Sequence, residues 1–271
     1  MKCEVGIAGW LYSQEIMREQ SMTLLQMPAA CAAHGVTVVE LCSSFFPNQQ
    51  TDYLNELRSA LQDSALSVWS IAVDMGNIAG DDAVVRRTDI EGLKQWFYTA
   101  SALGSKAIRI NTGHADDPEA ANRAVEEYRD LAETGRQAGV RLLIENHGGL
   151  SARSDGLATI IGGVGTEWFG TCPDTGNFYG ADWENGMRVM APRAYSCHLK
   201  LAHLEPDSMQ VWTDQNGDER ECNLKVALSI LKESGYSGPI CLEREAVSAG
   251  LSKAENIRNS VEFIRNLLEA S

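Results

Sequence analysis

Four short stretches put ligand-type side chains where an apolar run gives way to polar residues: LLIENHGG from Leu142, CPDTGNF from Cys172, YSCHLKLA from Tyr195 and ICLERE from Ile240. Their candidates are Glu145, Asp174, His198 and Glu243. Three carboxylates and an imidazole gathered at one place repel one another and raise each other's proton affinity unless a cation lies between them. Three oxygens, one nitrogen and no thiolate suit one harder, higher-coordinate divalent ion such as Mn²⁺, Mg²⁺ or Co²⁺ more than structural zinc; Mn²⁺ is the foremost expectation, with Mg²⁺, Co²⁺ or Zn²⁺ as alternatives. Taken singly, each residue has a plainer reading: a carboxylate at a strand end caps a helix or pairs with Lys or Arg, Asp174 turns the chain through Thr175-Gly176, and His198 is a core histidine. Only their arrangement on four successive run ends points to a metal.

The elements that must carry them are legible as a rhythm. Eight short apolar runs begin near residues 3, 36, 66, 106, 140, 169, 194 and 239, on average about 34 residues apart, the size of a strand-helix unit. Between them lie stretches of helical period, such as DIEGLKQWFYTASALG, PEAANRAVEEYRDLAETGRQAG and NLKVALSILKESG, each closed by glycine. The runs are apolar throughout instead of alternating, as for strands covered on both faces. This predicts a closed (β/α)8 TIM barrel, with a doubly wound open sheet as the alternative. The last interval is longest, and its excess, within 203–222, contains Asn216-Gly217, a hairpin signal; it predicts an excursion above the barrel that could act as a lid. DQNGDE lacks the spacing of a calcium loop. No linker or change of composition divides the chain, so one domain over 1–271 is expected. Ser252-Lys-Ala-Glu255 reads as a capping box for the final helix.

In such a barrel chemistry gathers where strands run into their following loops. Side chains two apart on a strand share a face, so Glu145 and His147 are expected to look into one mouth, with Asn146 toward the helices. His147 could act as a base beside a carbonyl or only orient a neighbouring ligand. Lys200, two past His198, could steady a developing enolate oxygen or be a salt-bridged lysine. His114, ending the fourth run, could touch substrate or sit in a loop. Glu40 enters the mouth or braces the barrel floor. Trp10, Trp69 and Phe46 form an apolar wall for a sugar or pack the core. His34 and His203 read as surface residues, and no P-loop is present.

The chain has 271 residues, 44% hydrophobic and 22% charged, which is globular composition. With 23 Lys and Arg against 37 Asp and Glu, its formal charge of −14 repels nucleic acid and anionic lipid. Five histidines and that charge also argue against a multi-metal abasic-site nuclease. Seven cysteines without a C-x-x-C pair, no apolar run long enough to span a membrane and no signal-peptide core suit a reducing, cytoplasmic setting. A homo-oligomer is compatible with this composition.

The four motifs resemble those of the sugar phosphate isomerase/epimerase family, the xylose isomerase-like barrels, firmly from about Val140 to Glu245 and in the first half by strand rhythm and VVEL around Glu40. The resemblance implies that Glu145, Asp174, His198 and Glu243 are the metal ligands, and that the two glutamates also serve as acid and base on opposite faces of a bound sugar. Asn177 stands where the epimerases often carry a substrate-touching histidine. E-N-H-G-G looks closer to lyase-type relatives acting on 3-keto-glycosides, in which a histidine at the place of His147 would be the base. The shared expectation is proton abstraction next to the carbonyl of a small keto-sugar, ending in isomerisation or epimerisation, or in elimination by a lyase or dehydratase. A non-catalytic sugar- or metal-binding subunit is the remaining alternative.

Overall fold

Each of the eight apolar runs forms a strand in the computed structural model, which describes residues 1–178, 180–205, 207, 209–213 and 217–270. These are β1 (Val5–Ala8), β2 (Val38–Cys42), β3 (Ser67–Val73), β4 (Ala107–Ile110), β5 (Arg141–Glu145), β6 (Phe169–Cys172), β7 (Cys197–Lys200) and β10 (Ile240–Arg244). They pair in parallel in the order β6-β5-β4-β3-β2-β1-β10-β7. The two ends of that order meet through the parallel bridges Thr171–Ala194 and Asp174–His198, so the sheet is a closed cylinder. The long excursion holds β8 (Gln210–Thr213) and β9 (Glu219–Cys222), an antiparallel pair running from Gln210 opposite Cys222 to Thr213 opposite Glu219. The expected turn residue Asn216 lies outside the described residues.

Helices α1 (Met27–Ala32), α2 (Thr51–Asp63), α3 (Ala83–Leu103), α4 (Ala120–Ala138), α5 (Ser154–Val164), α6 (Trp183–Met190), α7 (Leu224–Glu233) and α8 (Lys253–Ala270) follow the strands. The capping box is real: Ser252 donates to Glu255 Oε2 from N at 2.8 Å and Oγ at 2.6 Å, and Glu255 N donates back to Ser252 Oγ at 3.3 Å. Helix α3 starts six residues before the periodic stretch that announced it. Asp82 caps it by accepting from the N–H of Val84 and Val85, and both valines are exposed, so its first turn carries no apolar repeat. The first strand-helix unit departs from the regular pattern. Residues 13–23 offer no apolar period, and the chain there makes a 3-10 turn (Gly9–Tyr12), a π turn (Gln14–Arg18) and only the six-residue α1.

Two layers of side chains separate along each strand because neighbours alternate faces. Ile108, Ile110, Leu142 and Ile144 join the large core between barrel and helices. Ala107, Leu143 and Cys172 form a small separate cluster inside the cylinder. Arg109 and Glu145, two residues beyond Ala107 and Leu143, therefore inherit the inner face. On β10 the pairing to β7 jumps from Leu242–Leu199 to Arg244–Lys200, a bulge that leaves Glu243 unpaired at the strand's end.

Candidate metal centre and active site

The four predicted ligands meet. One donor atom each from Glu145, Asp174, His198 and Glu243 lies within 4.8 Å of all the others. His198 Nδ1 is 2.8 Å from Glu145 Oε1 and 3.7 Å from both Asp174 Oδ2 and Glu243 Oε2. On the other edge of the ring, Nε2 lies 3.0 Å from Glu40 Oε1, close but poorly aligned for a hydrogen bond. Ser70 Oγ donates to Glu40 Oε2 at 2.5 Å. Glu40 thus sits buried beneath the imidazole, on the floor of the site. Its carboxylate faces the Nε2 edge of the ring, while Nδ1 faces the cluster and pairs with Glu145 Oε1.

Local pairing holds these side chains in place. Asn146 is buried and clasps the main chain of Asp174 from both sides: its Nδ2 donates to Asp174 O at 2.8 Å, and its Oδ1 accepts from Asp174 N at 2.7 Å. The amide expected to face the helices instead ties the end of β5 to the loop after β6, because Glu145 is the last residue of the strand and the alternation stops there. Asp174 Oδ1 accepts from Gly176 N at 2.6 Å, leaving Oδ2 to the cluster. Arg109 is buried and spans two acids, 2.5 Å from Asp74 Oδ1 through one terminal nitrogen and 3.2 Å from Glu145 Oε2 through Nε. Lys200 Nζ lies 3.0 Å from Asp174 Oδ2, 3.0 Å from Glu243 Oε2 and 2.6 Å from Asn177 Oδ1. Asn177 Nδ2 in turn reaches Glu145 Oε1 at 3.4 Å.

The electrostatics follow from this crowding. Burial opposes ionisation of Glu145, but Arg109 and His198 overcome it and hold the carboxyl down at about 2. Burial, reinforced by Glu243, pushes Asp174 well above the usual carboxylate range despite Lys200. Glu243 is driven the other way by Lys200 and His198, against its burial. Burial disfavours a charged His198, yet Cys172, Glu40, Glu243 and Glu145 together raise it well above the ordinary imidazole range. Five carboxylates, counting Glu40 and Asp74, face Arg109 and Lys200, so negative charge is in excess. Glu145 Oε2, Asp174 Oδ2 and Glu243 Oε2 are buried and accept no hydrogen bond. They face the charges of Arg109 and Lys200; buried oxygens without hydrogen bonds are costly, and gathered beside an imidazole nitrogen they fit a divalent cation.

The remaining candidates take varied places. His147 lies just past β5 with an exposed side chain, and its N–H donates to Ser151 Oγ at 3.1 Å. The glycines after it adopt positive φ, +67° at Gly148 and +52° at Gly149. A Cβ on Gly149 would come within 2.9 Å of Gly113 O and 3.8 Å of His114 Cα, so this turn and the His114 loop touch; His114 is exposed. Trp10 is 44% exposed beside the mouth, stacked at 8° on Phe45 with centroids 6.3 Å apart. Phe46 instead packs edge-on against Trp96. Trp69 is at the opposite end of the barrel, donating from Nε1 to Tyr195 O at 2.9 Å. His34, read as a surface residue, is buried with Nε2 3.2 Å from Tyr12 Oη, because α1 is too short to carry it into solvent. The polar residues that sequence reasoning missed are Arg109, Asp74 and Ser70. A lone arginine in the apolar strand AIRI, and an aspartate ending SIAVD, were the available signals.

All seven cysteines are free, and among the described residues no helix is long and apolar enough to cross a membrane. No curated protein matches the chain in sequence. Among solved structures it is similar to an L-ribulose 3-epimerase, at 18% identity over 99% of this chain and 95% of that one, with a TM-score of 0.78. A 3-keto-D-glucoside 4-epimerase from E. coli is similar at 12% identity over 98% and 100% of the two chains, with a TM-score of 0.72. A xylose isomerase-like TIM barrel protein from Mycobacterium smegmatis in complex with magnesium follows at 15% identity over 98% of each chain, with a TM-score of 0.70. At these identities the likeness is one of fold. The family model for xylose isomerase-like TIM barrels matches residues 28–267, nearly the whole length, and the chain belongs to that family.

Proposed function

We propose that this protein is a divalent-metal-dependent isomerase or epimerase that abstracts a proton next to the carbonyl of a small keto-sugar. The observation that carries the reading is the convergence of one donor atom each from Glu145, Asp174, His198 and Glu243 within 4.8 Å of one another, with an oxygen of each of the three carboxylates buried and accepting no hydrogen bond. Glu145, Asp174, His198 and Glu243 would hold the ion, Mn²⁺ foremost. When bound, such an ion supplies Lewis acidity toward a substrate carbonyl oxygen. Glu145 and Glu243 are the pair that takes the proton from one face of the sugar and returns it to the other. Lys200 and Asn177, linked at 2.6 Å, offer donors to substrate oxygens. Trp10 supplies an apolar wall, and the exposed His114 edges the mouth. The sugar epimerases among the similar structures support a carbohydrate substrate.

A second reading rests on His147, an exposed imidazole two residues from Glu145. With His147 as base and a leaving group on the next carbon, the same first step ends in elimination, making the enzyme a lyase or dehydratase. Proton NMR in D₂O, with Mn²⁺ and a panel of keto-sugars and 3-keto-glycosides, separates the two. Deuterium entering intact or epimerised sugar supports the first reading, and loss of water or an aglycone supports the second. Neither change across the panel, with stoichiometric ion bound, would leave a non-catalytic binding subunit.

A further inference from the structure

Lys200 carries an inference that rests on the metal-dependent reading above. Its stem is boxed in: a Cβ on Gly176 would run into both Lys200 Cδ and the ring of Trp212. Trp212 is itself buried and packs against Arg244, whose guanidinium carbon lies 5.6 Å from the ring centroid. The ammonium is thereby aimed at the cluster, 3.0 Å from Asp174 Oδ2 and 3.0 Å from Glu243 Oε2. Those are the same two oxygens that lack hydrogen bonds and lie 3.7 Å from His198 Nδ1. Asp174 Oδ1 is already engaged by Gly176 N, which makes Oδ2 its freer oxygen. An ion gripped by the four residues through these freer oxygens takes positions that Lys200 already touches.

We propose that Lys200 and the divalent ion compete for Asp174 Oδ2 and Glu243 Oε2. The lysine thus limits how tightly the site holds its ion, and ion loading leaves the ammonium to Asn177, which it already touches, and to the substrate. Two positive charges a few ångströms apart in a water-poor site repel strongly. The same ammonium screens the two acids from each other, so it holds the cluster together while weakening its grip on a second cation. The hairpin β8–β9 contributes through Trp212, which prevents the stem from swinging aside.

Titration of Mn²⁺ alone into the purified full-length chain, followed calorimetrically without substrate, tests this. Lys200→Met keeps the stem length and loses the charge. It is expected to bind Mn²⁺ at least tenfold more tightly than the unsubstituted protein, and to melt at a lower temperature when both are held in chelator. Lys200→Gln, a second neutral variant, should shift affinity in the same direction, and decides the matter alone if the methionine variant does not fold. Equal or weaker Mn²⁺ binding by a folded neutral variant overturns the competition while leaving the metal-dependent reading intact. No Mn²⁺ binding by the unsubstituted protein and both variants overturns the two together.

Discussion

The two ends of the barrel are built from the same strands and treat polar atoms in opposite ways. At the end where strands begin, Trp69 Nε1 donates to Tyr195 O at 2.9 Å, Tyr236 Oη donates to Pro239 O at 2.5 Å, and the Arg141 guanidinium lies 4.8 Å from the Tyr195 ring centroid. At the end where strands finish, three carboxylate oxygens are buried without a hydrogen bond and charges of one sign predominate. The first arrangement is what stability alone selects. The second is destabilising by itself and is explained by what it can bind.

Breaking the charged end should cost activity first. Glu145→Gln and Glu243→Gln are each expected to slow solvent-deuterium exchange into a keto-sugar by a thousandfold or more, at the upper range for general acid-base groups, with circular dichroism unchanged. Arg109→Met tests the support beneath: it strands Asp74 and Glu145, and chemical denaturation should show a loss of about 3 to 5 kcal/mol. Filling the site should act in the opposite direction. Mn²⁺ at a hundred times its dissociation constant is expected to add about 2.7 kcal/mol, read as a rise of roughly 5 to 10 °C in calorimetry. The smallest effect belongs to the other end. Tyr236→Phe removes one hydrogen bond, and should cost about 1 kcal/mol of stability while leaving the exchange rate within twofold.

The same contrast explains what could be read from sequence. Glu145, Asp174, His198 and Glu243 were legible because each is a charged or ligand-type residue at the end of an apolar run, and a barrel brings all such ends together. The eight strands were legible for the same reason, since continuous apolar runs separated by helical periods admit few topologies. Arg109 and Asp74 were not isolated, because their meaning lies in each other: they are 35 positions apart and touch only across neighbouring strands. The roles of Asn146 and Lys200 depended on where the strand alternation stops and where a side chain is walled in. Periodicity carries neither fact. The early helical turns of α3 were silent because Val84 and Val85 face solvent, and the short α1 because no apolar repeat precedes it.

The junction between β6 and β7 differs from the other joins of the barrel. Every other neighbouring pair of barrel strands shares a ladder of several residue pairs, whereas this one is stitched by isolated bridges and a few main-chain bonds, among them His198 N to Pro173 O at 2.9 Å and Thr175 N to His198 O at 3.1 Å. Asp174 and His198 are themselves the stitches. Circularising the sheet and bringing these two side chains face to face are accordingly one event, so a chain that has not yet shut its ring has no centre to fill, and a cation lodged there would act as a clasp on the join that closes the cylinder.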